Sequence, residues 1–79
     1  MSVRRVLDSY AVIAYLQHEA GADTVAALLK RARDSDEPLL MSVVNWGEVY
    51  YIVLRESGRP AADAAIETLD TLPIDVVPV

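Results

Sequence analysis

The chain has 79 residues, 53% of them apolar, and a formal net charge of −5. That length allows one small domain, which buries only about 60–65% of its unfolded surface, so the apolar share is high for the interior available. The acidic balance excludes a simple electrostatic binder of nucleic acid; the absence of cysteine and the single histidine exclude disulfides, thiolate chemistry and multi-histidine zinc sites.

In chain order, Val3 to Asp8 reads as a short strand that ends at the polar pair Asp8-Ser9. Helical spacing follows at once in Tyr10, Val12, Ile13 and Leu16. A break at His18 to Gly21 leads into a second helix, about Ala22 to Arg33. There Val25, Leu28 and Leu29 form the inner stripe, and Asp23, Lys30, Arg31 and Arg33 face water. Asp34 to Pro38 is expected as a loop. Leu39 to Met41 has strand length, and Ser42 suits an N-cap for a helix from about Val43 to Glu56, closed by Ser57-Gly58. Arg59-Pro60 opens a fourth helix to about Asp70, and Ile74 to Val79 reads as a last strand. The order β-α-α-β-α-α-β predicts an α/β fold, a three-stranded parallel sheet with flanking helices.

Two acids stand out. Asp8 is the lone charge in VLDSYAVIAYL, and Glu48 is the lone charge in MSVVNWGEVYYIVL. Burying an ionised carboxylate without a partner costs several kcal/mol or more, so acids in the two most apolar runs need an explanation. Open α/β sheets bind ligands in the crevice beyond the carboxyl ends of their strands. Asp8 lies at such an end, and Glu48 about two turns into the helix after the second strand. If the two strands are neighbours, both acids can serve one crevice.

Structural roles compete with this. Asp8 has the position of a helix N-cap. Glu48 is too deep in its helix for that, and its structural alternative is a salt bridge to Arg4, Arg5 or Arg55. A divalent cation shared by Asp8 and Glu48 is the other account, since Mg²⁺ and Mn²⁺ take a few carboxylates with waters and phosphate oxygens. Other chemistries fit less well. His18 has no glycine-flanked serine to activate, the three glycines are isolated and form no phosphate loop, and the tyrosines and Trp46 fall in helical runs that suit a core or an interface. The cluster Lys30, Arg31 and Arg33 reads as a solvated helix face, with contact to a nucleic-acid backbone as the alternative. The run Leu39 to Leu54 is too short and too polar for a membrane span, and with no leader-like segment visible a soluble cytoplasmic protein is expected.

The two acidic stretches also carry a resemblance. VLDSYAVIAYL is similar to the opening motif of the PIN domain, VapC-type toxins in particular, in which an Asp ends strand one and a small hydroxylated residue follows. MSVVNWGEVYYIV resembles the second motif, a strand ending in Ser or Thr with an acid about two turns into the next helix; here these are Ser42 and Glu48. The tail IDVVPV resembles the third strand. The resemblance implies a Mg²⁺- or Mn²⁺-dependent endoribonuclease: Asp8 and Glu48 as catalytic metal ligands, Ser9 supporting the metal-bound water, RNA as substrate, a VapB-type antitoxin as partner, and homo-oligomers.

PIN domains bring further acids from later elements, and neither Asp70 nor Asp75 fits that motif. Residues 1–79 are therefore expected to be the N-terminal part of a PIN-like domain, its C-terminal portion absent, with a weak or inactive site. The alternative is a non-catalytic interaction module that binds itself or an antitoxin through the apolar helix 43–56. A receiver-like phosphoacceptor at Asp8 lacks the paired acids it would need at strand one.

Overall fold

The computed structural model describes residues 5–78. The element order is β1 (Val6–Leu7), α1 (Ser9–Leu16), α2 (Ala22–Ser35), β2 (Leu39–Ser42), α3 (Val43–Ser57), α4 (Arg59–Asp70) and β3 (Ile74–Val77). The three strands form one parallel sheet in the order β1-β2-β3, with Leu7 opposite Met41 and Met41 opposite Val76. This is the α/β architecture expected from the sequence. Val3 and Val79, included in the expected outer strands, lie outside the described residues.

Sequential strand order and parallel pairing have a consequence for layering. Both crossovers, β1-α1-α2-β2 and β2-α3-α4-β3, step the same way across the sheet, so the usual right-handed connection puts both helix pairs on one face. Burial agrees with that. Side chains alternate along a strand, and on one face Leu7, Leu39 and Met41 are buried. On the other face Val6 and Val77 are exposed and Leu40 is only half-buried. The core lies between the covered face and the helices: Val12 and Ile13 of α1, Val25, Leu29 and Ala32 of α2, Val49 and Val53 of α3, Ala62 and Leu69 of α4.

Local chemistry sets the boundaries. Asp8 caps α1, its Oδ1 accepting the Ala11 N–H at 2.8 Å. Ser42 ends β2 and caps α3 at once, its Oγ accepting the Asn45 N–H at 3.1 Å. Both acid-bearing helices therefore start with no loop between them and their strands. Gly58 alone separates α3 from α4, at φ 88°, a conformation in which a side chain is strained; Pro60 then sits in the first turn of α4.

The outer strands are shorter than expected, Val6–Leu7 and Ile74–Val77, and α2 runs longer than expected. Asp34 and Ser35 are helical rather than loop, because the Ser35 hydroxyl bonds back to the Arg31 carbonyl at 2.7 Å. Asp36 then takes the left-handed position (φ 56°) usual for a closing glycine, with the Glu37 N–H bonded to the Ala32 carbonyl. Aspartate is among the few side chains that tolerate this conformation.

Candidate functional site

The site lies at the carboxyl ends of β1 and β2. Asp8 follows Leu7, the last residue of β1, and Ser9 opens α1. Glu48 lies on α3, whose first residue directly follows β2. Parallel pairing of β1 with β2 sets both helix starts along one sheet edge, and α1 packs against α3.

The join between the two is a hydrogen bond. The Ser9 hydroxyl, 1% exposed, donates to Glu48 Oε1. A second bond of the same kind lies further along: Gln17 Nε2, at the end of α1, donates to Glu56 Oε2 at 3.2 Å. The partners in both pairs are 39 residues apart in sequence. The two bonds are thus eight positions apart on each helix, about 12 Å of helix rise, and they pin α1 alongside α3 in parallel. A donor from the first helix meets a carboxylate of the third at each end of the contact.

Burial corrects one expectation. Asp8 and Glu48 are both exposed, not buried. The apolar run around Glu48 does not make its environment apolar. Val49 and Val53, one turn apart, take the inner face of α3, whereas Glu48 shares the outer side with Val44 and Tyr51, which are 61% and 71% exposed. On α1 and α3 the apolar side chains Tyr10, Val43, Val44 and Tyr51 thus face solvent. The desolvation cost that made the acids conspicuous is absent.

Each structural alternative resolves differently. Asp8 is the N-cap its position suggested, and capping by one oxygen does not take up a carboxylate's full acceptor capacity. Glu48 has the Ser9 hydroxyl as its partner, and Arg4, a cation weighed for it, lies outside the described residues. Ser9 holds the carboxylate directly. Nothing in the sequence pointed to that pairing, nor to the Tyr50 hydroxyl that donates to Asp63 Oδ1 at 3.2 Å across α3 and α4; partners 39 and 13 positions apart leave no local pattern.

Ser9 and Glu48 touch and Asp8 precedes Ser9 in the chain; these residues offer hard oxygen donors, two exposed carboxylates and a hydroxyl. That set suits Mg²⁺ or Mn²⁺, which need only one or two carboxylates when waters and substrate phosphates fill the other positions. Among the described residues no group of three or more His, Asp or Glu side chains is placed to hold a metal ion. The chain's own contribution to such a site is therefore small.

A family model described as the PIN domain matches residues 5–79. The chain belongs to the PIN-domain family. No curated protein and no solved structure matches it. Membership gives this PIN chain a nuclease-type lineage. No helix among the described residues is long and apolar enough to cross a membrane.

The Ser9 to Glu48 bond is testable by itself. Ser9→Ala is expected to cost about 1 kcal/mol, the net worth of one hydrogen bond, because the exposed carboxylate can turn to water. A double-mutant cycle with Glu48→Ala, read by urea unfolding, should return a coupling of the same size. Strict additivity would mean that the bond contributes nothing.

Proposed function

We propose that this PIN-family chain is the N-terminal part of a metal-dependent endoribonuclease of the VapC toxin type, with Asp8 and Glu48 holding Mg²⁺ or Mn²⁺ and Ser9 fixing Glu48. The observation that carries the reading is the Ser9 to Glu48 hydrogen bond, which ties the second acidic motif to the residue following the first. Family membership supports nuclease chemistry on RNA. A divalent cation at this edge would supply positive charge against a phosphodiester and lower the pKa of attacking water.

The chain's own residues have definite tasks in this reading. Asp8 keeps one carboxylate at the start of α1, fixed by its cap to Ala11. Glu48 presents a second from α3, its rotamer held by Ser9. Two carboxylates leave most of a cation's positions to water and phosphate oxygens, so weak affinity and weak or no cleavage by these residues alone are part of the proposal. The open sheet face supports a larger domain, since parallel sheets are ordinarily covered on both faces; Val6 and Val77 are exposed there. A cytoplasmic location, a VapB-type antitoxin and homo-oligomers belong to the same reading.

Mn²⁺ titrated into the protein in a calorimeter tests it. Saturable heat of a weak site is the expected result, and whatever RNA cleavage is measured should follow Mn²⁺ or Mg²⁺ and stop with EDTA. Absence of any divalent binding would remove the metal-dependent reading. A second reading then stands on another observation: α3 exposes Val43, Val44 and Tyr51, which favours a non-catalytic module that binds itself or an antitoxin through this helix.

A further inference from the structure

The second apolar feature of the molecule adjoins Glu48 on α3. Between α3 and α4 runs an open groove of about 530 Å³, lined by Trp46, Gly47, Tyr50, Tyr51 and Ile66. Trp and Tyr are the residue types that dominate binding energy at protein interfaces. Tyr51 is 71% exposed, and Trp46, Tyr50 and Ile66 are half-buried.

Gly47 sharpens the point. A glycine inside a helix disfavours that helix relative to alanine, and such a residue usually allows some close approach within the fold. Among the described residues a Cβ built on Gly47 meets nothing within 4 Å. The packing of the described residues does not require the glycine, whereas a partner lying on the groove would meet bare backbone at that point.

The charge around the groove indicates what fits. Asp63 lies on its α4 side, accepting from the Tyr50 hydroxyl at 3.2 Å. Glu67 and Asp70 follow at the helical spacings of one and two turns and are exposed. The cations of this hairpin, Arg55 and Arg59, sit at its Gly58 turn, so most of the α4 rim is acidic. The whole chain carries −5. A second copy would set one acidic rim and one negative molecule against another.

We infer that the α3–α4 groove is a docking site for a basic amphipathic helix, whose apolar stripe seats on Trp46, Gly47 and Tyr51 and whose Lys or Arg side chains meet Asp63, Glu67 and Asp70. This deepens the interaction reading of α3, and its readout requires no metal.

The test uses tryptophan-free helical peptides that share one Leu stripe and differ only in their flanks, Lys/Arg or Asp/Glu. Trp46 is the only tryptophan and lines the groove, so its fluorescence reports docking. The basic peptides should shift its emission saturably, with affinity that falls as salt rises, and the acidic ones should bind at least about tenfold more weakly. Gly47→Leu, which puts a good helix former into open space, should melt no lower than wild type and lose the response. Asp63→Asn, which keeps an acceptor for Tyr50, should weaken only the basic peptides. Equal binding of both peptide classes, or undiminished binding by Gly47→Leu, would overturn the proposal. Self-association of the wild type that Gly47→Leu disperses would overturn the basic partner and leave the interaction reading of α3 standing. Silence of every peptide with no self-association would overturn both.

Discussion

Met41→Ala should destabilise the domain by about 3 kcal/mol, within the usual range for truncating a buried Met. Met41 has no exposed surface, lies in the central strand, and pairs in register with Leu7 on one side and Val76 on the other. Its side chain points to the helix-covered face, where α3 and α4 bring Val49, Val53, Ala62 and Leu69 into the same core. A domain of this size has roughly 4–12 kcal/mol of total stability, so the loss is a large share of it. With a urea slope of about 1–2 kcal/mol/M, the midpoint should fall by roughly 2 M. Val44→Ala is the control. Val44 is 61% exposed, and its truncation should move stability by no more than about 0.5 kcal/mol. A Met41→Ala shift as small as that of the control would mean that the covered sheet face is not the centre of the core.

The second large effect is on metal affinity. Asp8→Asn and Glu48→Gln should each weaken Mn²⁺ binding at least about tenfold, since affinity for hard cations follows the charge of the ligand set. These substitutions separate the structural roles of the acids from the functional ones. Asn caps a helix as well as Asp does, so the bond from the Ala11 N–H is kept. A Gln carbonyl can still accept from the Ser9 hydroxyl. Stability should therefore stay within about 0.5 kcal/mol of wild type. Calorimetric titration beside urea unfolding reads both quantities. If both variants bind Mn²⁺ like the wild type, the two acids serve only as a cap and a helix tie, and the metal-dependent reading fails. If binding is lost together with stability, the acids are structural first.

The groove residue Tyr51 and the sheet-end residue Glu48 share the outer side of α3, with Gly47 next to Glu48 in the chain. Val49 and Val53 hold α3 to the core. That leaves Glu48 for the sheet edge, with Gly47 and Tyr51 for the groove. The high apolar share of the chain has its explanation there: part of it is surface on α3, at Val43, Val44 and Tyr51.

Local sequence determined a great deal about this protein. Hydrophobic period, the caps Asp8 and Ser42, Gly58 with Pro60, and the alternation of strands and helices determined seven elements and a parallel sheet, because these signals act within a few residues. They also marked Asp8 and Glu48 and the family to which the chain belongs. Tertiary structure alone decided the rest. Whether Glu48 is buried depends on which side of α3 meets the core, and in a run apolar on almost every side the sequence pattern cannot choose that side. The pairing of Ser9 with Glu48, and of Gln17 with Glu56, depends on α1 lying parallel to α3. That alignment follows from the neighbouring of β1 and β2, a contact between segments far apart in the chain, and no local propensity encodes it.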